Sequence, residues 1–118
     1  MKPIPFDLAR SVALEALAHA GVPPAHALLQ ADLLLEAELR GRPSHGLLRL
    51  PRVVERIANG VADPSATGRH AWAGNFLRVE GDGGLGPVVA VRALDALMDR
   101  VAGGGVAVAG IRGNNHLG

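Results

Sequence analysis

The chain changes character at Gly60. Before it, apolar residues recur at helical spacing between proline and glycine breakers. After it come an extended run, a glycine-rich turn, a helical run and a β-branched run. This order predicts an α/β (α+β) fold. A helical N-terminal subdomain would occupy residues 1–70, and residues 71–118 would begin an α/β subdomain, with the junction between Gly60 and Gly74.

The individual elements follow from local signals. Asp7 is placed to cap a first helix that stops at Gly21, with Leu8, Val12, Leu14, Ala16 and Leu17 as its apolar positions. Pro23 and Pro24 forbid continuation, and a second helix is expected from Pro24 to Leu39 with Leu28, Leu29, Leu33 and Leu35 at helical spacing. The breaker Arg40 to Pro43 leads to Ser44, a potential cap. Pro51 is tolerated only in a first turn, so a short turn over 44–49 and a helix over 50–59 are predicted. Residues 61–68 read as a loop and 71–80 as one extended stretch. Pro87 then opens a helix carrying Val88, Val91, Leu94, Leu97, Met98 and Val101 on one side. Gly103 to Gly105 end it, and 106–111 has the alternation of a strand. That strand is expected to leave an unpaired edge.

Composition narrows the function classes. With 48% hydrophobic and 19% charged residues, the chain can build a core. A net charge of +1 offers no field for nucleic acid or an acidic membrane. Phe6, Trp72 and Phe76 are the only aromatic residues, too few for a base-stacking platform. The absence of cysteine excludes disulfides and thiolate metal sites. Asp7, Arg10 and Glu15 interrupt every apolar run near the N-terminus, which argues against a signal peptide, and no stretch is long and apolar enough to span a bilayer. The expectation is a soluble cytoplasmic protein.

Two of the five histidines stand in suggestive company. His45 follows a breaker in Pro43-Ser44-His45-Gly46, with Arg49 four residues on. Backbone N–H groups at a helix start and an arginine fork can hold a carboxylate, and an imidazole can move protons near neutral pH. Spacing leaves the plainer alternative standing: a capping serine before a surface histidine. His116 sits in Gly113-Asn114-Asn115-His116-Leu117-Gly118, beyond the predicted strand, where α/β folds commonly form sites. An ordinary turn with an exposed histidine is the alternative there. His19, His26 and His70 lie on helices or in a surface loop without polar partners nearby in sequence, and no histidine pair has metal-ligand spacing. The run Gly81 to Gly86 lacks the lysine and hydroxyl of a P-loop and the spacing of a Rossmann fingerprint, so it reads as a tight turn.

Several segments together resemble one enzyme family. They are Ala37-Glu38-Leu39-Arg40-Gly41 leading into Ser44-His45-Gly46, then Arg49-Leu50-Pro51 and Ile57-Ala58-Asn59-Gly60. Val79-Glu80-Gly81-Asp82-Gly83-Gly84-Leu85-Gly86 and the stretch from Gly105 to Gly118 complete the set. In order and spacing these resemble the malate/L-lactate dehydrogenases that are unrelated to the Rossmann-type lactate dehydrogenases. That family includes ureidoglycolate, sulfolactate, diketogulonate and cyclic-imine carboxylate enzymes. The resemblance covers nearly the whole chain.

The resemblance implies a sulfolactate-dehydrogenase-like fold and NAD or NADP as cofactor. It also implies a small 2-hydroxy or 2-oxo acid as substrate, and homodimers. His45 is similar to the family's proton-donating or substrate-binding histidine and Arg49 to its carboxylate-holding arginine. His116 is similar to its general acid/base. Pro43 stands where the family often has an acidic residue. Family members are much longer, so the chain is expected to be an N-terminal portion that lacks most cofactor contacts. The alternative is a non-catalytic remnant or a small helical interaction module.

Overall fold

The computed structural model describes residues 3–115. The first helix, α1 (Phe6–His19), starts one residue before the expected cap. Pro5 is the N-cap, and its carbonyl accepts the Ala9 N–H at 3.1 Å. Asp7 therefore lies in the first turn, where its charge suits the helix dipole but makes no side-chain cap bond. Ala13 and Leu17, one turn apart, form the buried stripe, while Leu8 and Val12 are exposed.

Helix α2 (Pro24–Leu39) has the expected bounds, because proline fits the first turn and Pro23 cannot be helical interior. It buries Ala27, Gln30, Ala31, Leu34 and Leu35, whereas Leu28 faces outward. The chain then makes two 3₁₀ turns, Pro43–His45 and Leu47–Arg49, before α3 (Leu50–Ala58) with Pro51 in its first turn. Ser44 caps neither turn: its hydroxyl lies 3.1 Å from His45 Nδ1 instead.

The stretch predicted as one strand is a hairpin. Strands β1 (Arg69–Ala73) and β2 (Phe76–Glu80) pair antiparallel around Gly74 and Asn75. Gly74 has φ +59°, a conformation glycine adopts without steric cost. His70 thus lies on an exposed edge strand, not in a loop. Helix α4 (Gly86–Arg100) then crosses to β3 (Val108–Arg112), which pairs parallel to β2. The sheet order is β1-β2-β3, so β3 is an edge among the described residues.

The buried side of α4 matches the expected one only in part, at Val88 and the partly buried Leu97. Val88, Val89 and Ala93 are buried, while Val91, Leu94 and Met98 are exposed. Both faces of the helix are apolar, so periodicity could not choose between them. Arg100 ties the end of α4 to the hairpin, donating to the Gly74 carbonyl at 2.6 Å and lying 4.4 Å from the Trp72 ring centre.

Two apolar clusters meet in α4. One joins Ala13, Leu17, Val22, Ala27, Ala31 and Ala62 to Leu85 and Val88. The other joins Leu77 and Val79 of β2 to Val89 and Ala93. Leu77→Ala should cost about 2–5 kcal/mol, since it removes a fully buried side chain from the central strand. Chemical denaturation checks this, and an unchanged midpoint would remove Leu77 from the core. No helix among the described residues is long and apolar enough to cross a membrane.

Candidate active site

A cavity of about 210 Å³ lies between α2, the 3₁₀ turns, α3 and the 112–115 segment. Gln30, Leu33 and Leu34 of α2 form one wall, and His45, Arg49, Arg52, Val53 and Arg56 form another. Ala62, Leu85 and Asn115 complete it. The volume is below the roughly 300–1,000 Å³ of pockets for drug-sized ligands, which suits a small metabolite.

Local geometry explains how His45 and Arg49 come together. The two 3₁₀ turns fold the chain tightly between α2 and α3, and Glu38 accepts the Leu47 N–H at 2.8 Å to hold the second turn against α2. Arg49 Nε donates to the Ser44 carbonyl at 2.8 Å. That bond fixes the guanidinium and leaves its terminal nitrogens without a hydrogen bond among the described residues. His45, half-buried, has its Nδ1 beside the Ser44 hydroxyl.

Three arginines line the cavity, where only one was expected. Arg49, Arg52 and Arg56 are spaced by three and four residues, so they share one helix face over about 10 Å of axis. That spacing was visible in the sequence. No carboxylate is among the lining residues, so the described cavity favours an anion.

Asn115 lies in the asparagine-bearing segment expected to shape a polar pocket, but its partners are remote in sequence. Its amide donates to the carbonyls of Gly83 (2.7 Å) and Gly84 (3.2 Å), and its oxygen accepts from Arg56 Nη1 at 3.2 Å. The segment reaches this position because Gly81 has no side chain. A Cβ there would lie 2.8–2.9 Å from Asn114 atoms. His116 lies outside the described residues.

The Gly81–Gly86 run is a structural turn. Gly81, Gly83 and Gly84 already donate their N–H groups to Arg112, Gly113 and Gly81 carbonyls. The first residues of α4 are buried. Those three glycine N–H groups are used in the bonds that hold the turn and are not offered to a phosphate. Arg69 clamps the turn from outside through Asp82 at 2.8–3.0 Å. Hydrogen bonding to Arg69 holds the Asp82 carboxyl below the ordinary carboxylate range. The clamp's contribution is therefore present at neutral pH and lost as pH falls through that lowered value.

His26 Nδ1 lies 3.0 Å from the Pro64 carbonyl, a link between α2 and the following loop. No group of three histidine, aspartate or glutamate residues is placed to hold a metal among the described residues.

A sequence profile of the malate/L-lactate dehydrogenase family matches residues 4–118. The chain is 34% identical over 116 residues to a malate dehydrogenase of Pyrococcus horikoshii, covering 98% of this chain and 32% of that enzyme. It superposes on the crystal structure of a dehydrogenase from Sinorhizobium meliloti with a TM-score of 0.96 and 44% identity, over 99% of this chain and 37% of that one. The sulfolactate dehydrogenase of Methanocaldococcus jannaschii matches with a TM-score of 0.89 and 28% identity, over 96% of this chain and 33% of that one. The chain thus spans about a third of the length of the curated relatives it matches. The match of profile and fold along its length establishes that the chain belongs to the malate/L-lactate dehydrogenase family.

Proposed function

We propose that this segment supplies the substrate-holding part of a cytoplasmic, homodimeric dehydrogenase that reversibly oxidises the CH–OH group of a small 2-hydroxy acid. The observation supporting this reading is a small cavity lined by His45 and three arginines and by no carboxylate. Residues 1–70 would be its helical subdomain and 71–118 the start of its α/β subdomain. NAD or NADP supplies the hydride acceptor, and every group contributed by this segment acts on the acid.

Arg49 is the carboxylate clamp. Its Nε is held by Ser44, and its terminal nitrogens offer the parallel donors that a carboxylate accepts. Fixing the carboxylate orients the adjoining hydroxyl. His45 hydrogen-bonds that hydroxyl or, in the reductive direction, donates a proton to the carbonyl oxygen of the 2-oxo acid, which becomes the hydroxyl. His116, next in sequence to the cavity-lining Asn115, takes the hydroxyl proton during oxidation.

The test is the initial rate of nicotinamide reduction by the full-length protein on 2-hydroxy acids and on matched alcohols in which a methyl replaces the carboxylate. The acids should be turned over with kcat/KM about 10²-fold or more above the alcohols, because the arginine donors lining the cavity otherwise have no carboxylate to bind. Equal rates on both would end the reading.

A further inference from the structure

The two 3₁₀ turns that carry His45 and Arg49 share one irregular hydrogen bond. Within them each N–H reaches the carbonyl three residues back: His45 to Arg42 (3.0 Å), Gly46 to Pro43 (3.1 Å) and Arg49 to Gly46 (3.0 Å). By the same rule the Leu47 N–H belongs on the Ser44 carbonyl. It donates instead to Glu38 Oε1 at 2.8 Å, and the Ser44 carbonyl accepts from Arg49 Nε at 2.8 Å. The carboxylate of Glu38 thus takes over one donor and leaves a backbone acceptor for the clamp.

Glu38 is not where α2 itself would favour an acid. It lies in the last turn of that helix, where the exposed carbonyl ends repel a negative charge. Glu36 in the same turn is compensated by Arg40 at 2.6 Å, whereas Glu38 is half-buried and turned towards Leu47. Gly46 is buried against it. A Cβ on Gly46 would come within 2.6 Å of Glu38 Cδ and 2.8 Å of Cγ, and nearer still to Oε1. Gly46 has φ −98°, which any residue adopts, so its bare Cα serves this close approach and not a backbone conformation.

We infer that Glu38 is a positioning residue for the carboxylate clamp: seated on Gly46, it holds the Leu47 N–H and so keeps the Ser44 carbonyl for Arg49. Without it the half-buried Leu47 N–H competes for that carbonyl, and the Arg49 guanidinium loses the bond that fixes it. The inference rests on the reading of Arg49 as the holder of the substrate carboxylate. Neither Glu38 nor Gly46 lines the cavity, so both act through the turns and not on the substrate.

The experiment measures KM and kcat of the full-length enzyme for malate and for lactate, beside thermal unfolding of each variant. Glu38→Ala should raise KM for whichever acid is turned over about tenfold or more, because a displaced clamp binds the carboxylate poorly. Glu38→Gln keeps an oxygen that can accept from Leu47 and should stay within about threefold of wild type. Gly46→Ala drives the Glu38 side chain off its seat and should raise KM as Glu38→Ala does. The double variant should be no worse than either single one, since the added methyl then meets an empty place.

A merely structural role lowers the folded fraction, and hence apparent kcat and Tm, but leaves KM unmoved. That pattern overturns the inference, as does a wild-type KM in Glu38→Ala, or a Glu38→Gln as damaged as Glu38→Ala. Full additivity of Gly46→Ala and Glu38→Ala overturns it too. If Glu38→Ala fails to fold, KM in Gly46→Ala and Glu38→Gln decides, and failure of all three to fold makes Glu38 structural. If wild type turns over no 2-hydroxy acid, the proposed function fails and takes this inference with it. If wild type is active and Arg49→Lys raises KM while Glu38→Ala does not, this inference alone is lost.

Discussion

In the full-length enzyme, His116→Ala should lower kcat by roughly 10²–10⁴-fold, the contribution of a positioned proton-transfer group. The role rests on the resemblance of Asn115-His116-Leu117-Gly118 to the family motif and on the cavity position of its neighbour Asn115. Oxidation of an alcohol must release the hydroxyl proton, and an imidazole can accept it near neutral pH. The rate profile against pH should therefore also lose the limb reporting that base. Loss of the limb separates a proton-transfer role from mere packing, which would lower rates without reshaping the profile. His70→Ala is the control, since His70 is exposed on β1 and does not line the cavity. Wild-type kcat in His116→Ala would remove the assignment.

Arg49→Lys should raise KM about 10–100-fold, the range expected for losing a charged hydrogen bond of about 1.5–3 kcal/mol. The substitution keeps the charge but changes the geometry. Arg49 spends Nε on the Ser44 carbonyl and still presents two terminal nitrogens. An ammonium is a single point of charge and cannot bridge Ser44 and a carboxylate with the same planar fork. If the clamp also orients the hydroxyl, kcat falls as well. Steady-state kinetics across substrate concentration decide this, and a wild-type KM would show that Arg49 does not hold the acid. His45→Ala should fall between the two patterns, because that residue either binds the hydroxyl or donates a proton to the carbonyl oxygen of the 2-oxo acid.

Much of the local structure was legible in the sequence. Pro24 and Pro51 each mark the first turn of a helix, and the glycines at 21, 41 and 60 follow the helices they stop. Covalent constraints on φ act within a residue or two and need no tertiary partner. The hairpin was within reach of the sequence, since Gly74-Asn75 is a two-residue turn dipeptide, though a weaker signal than Asn-Gly or Asp-Gly. The buried face of α4 was legible only in part, at Val88 and Leu97. Its apolar residues surround the helix, and contact with β2 chose Val89 and Ala93 over Leu94 and Met98.

The candidate site divides in the same way. His45 and Arg49 stood out because they are four residues apart beside a breaker, and one short fold of chain brings them to one cavity. Arg52 and Arg56 continue that face and could have been found by counting along α3. Gln30 could not, nor could the partners of Asn115. An isolated glutamine in a helix reads as a solvent-facing residue until packing buries it, and Asn115 acquires its role across 59 residues of chain from Arg56. Composition and spacing dictate which elements form, because those preferences act over a few bonds. Which polar groups face one another across a cavity is decided only when α2, α3 and the 112–115 segment pack, since that contact depends on apolar burial summed over the whole chain.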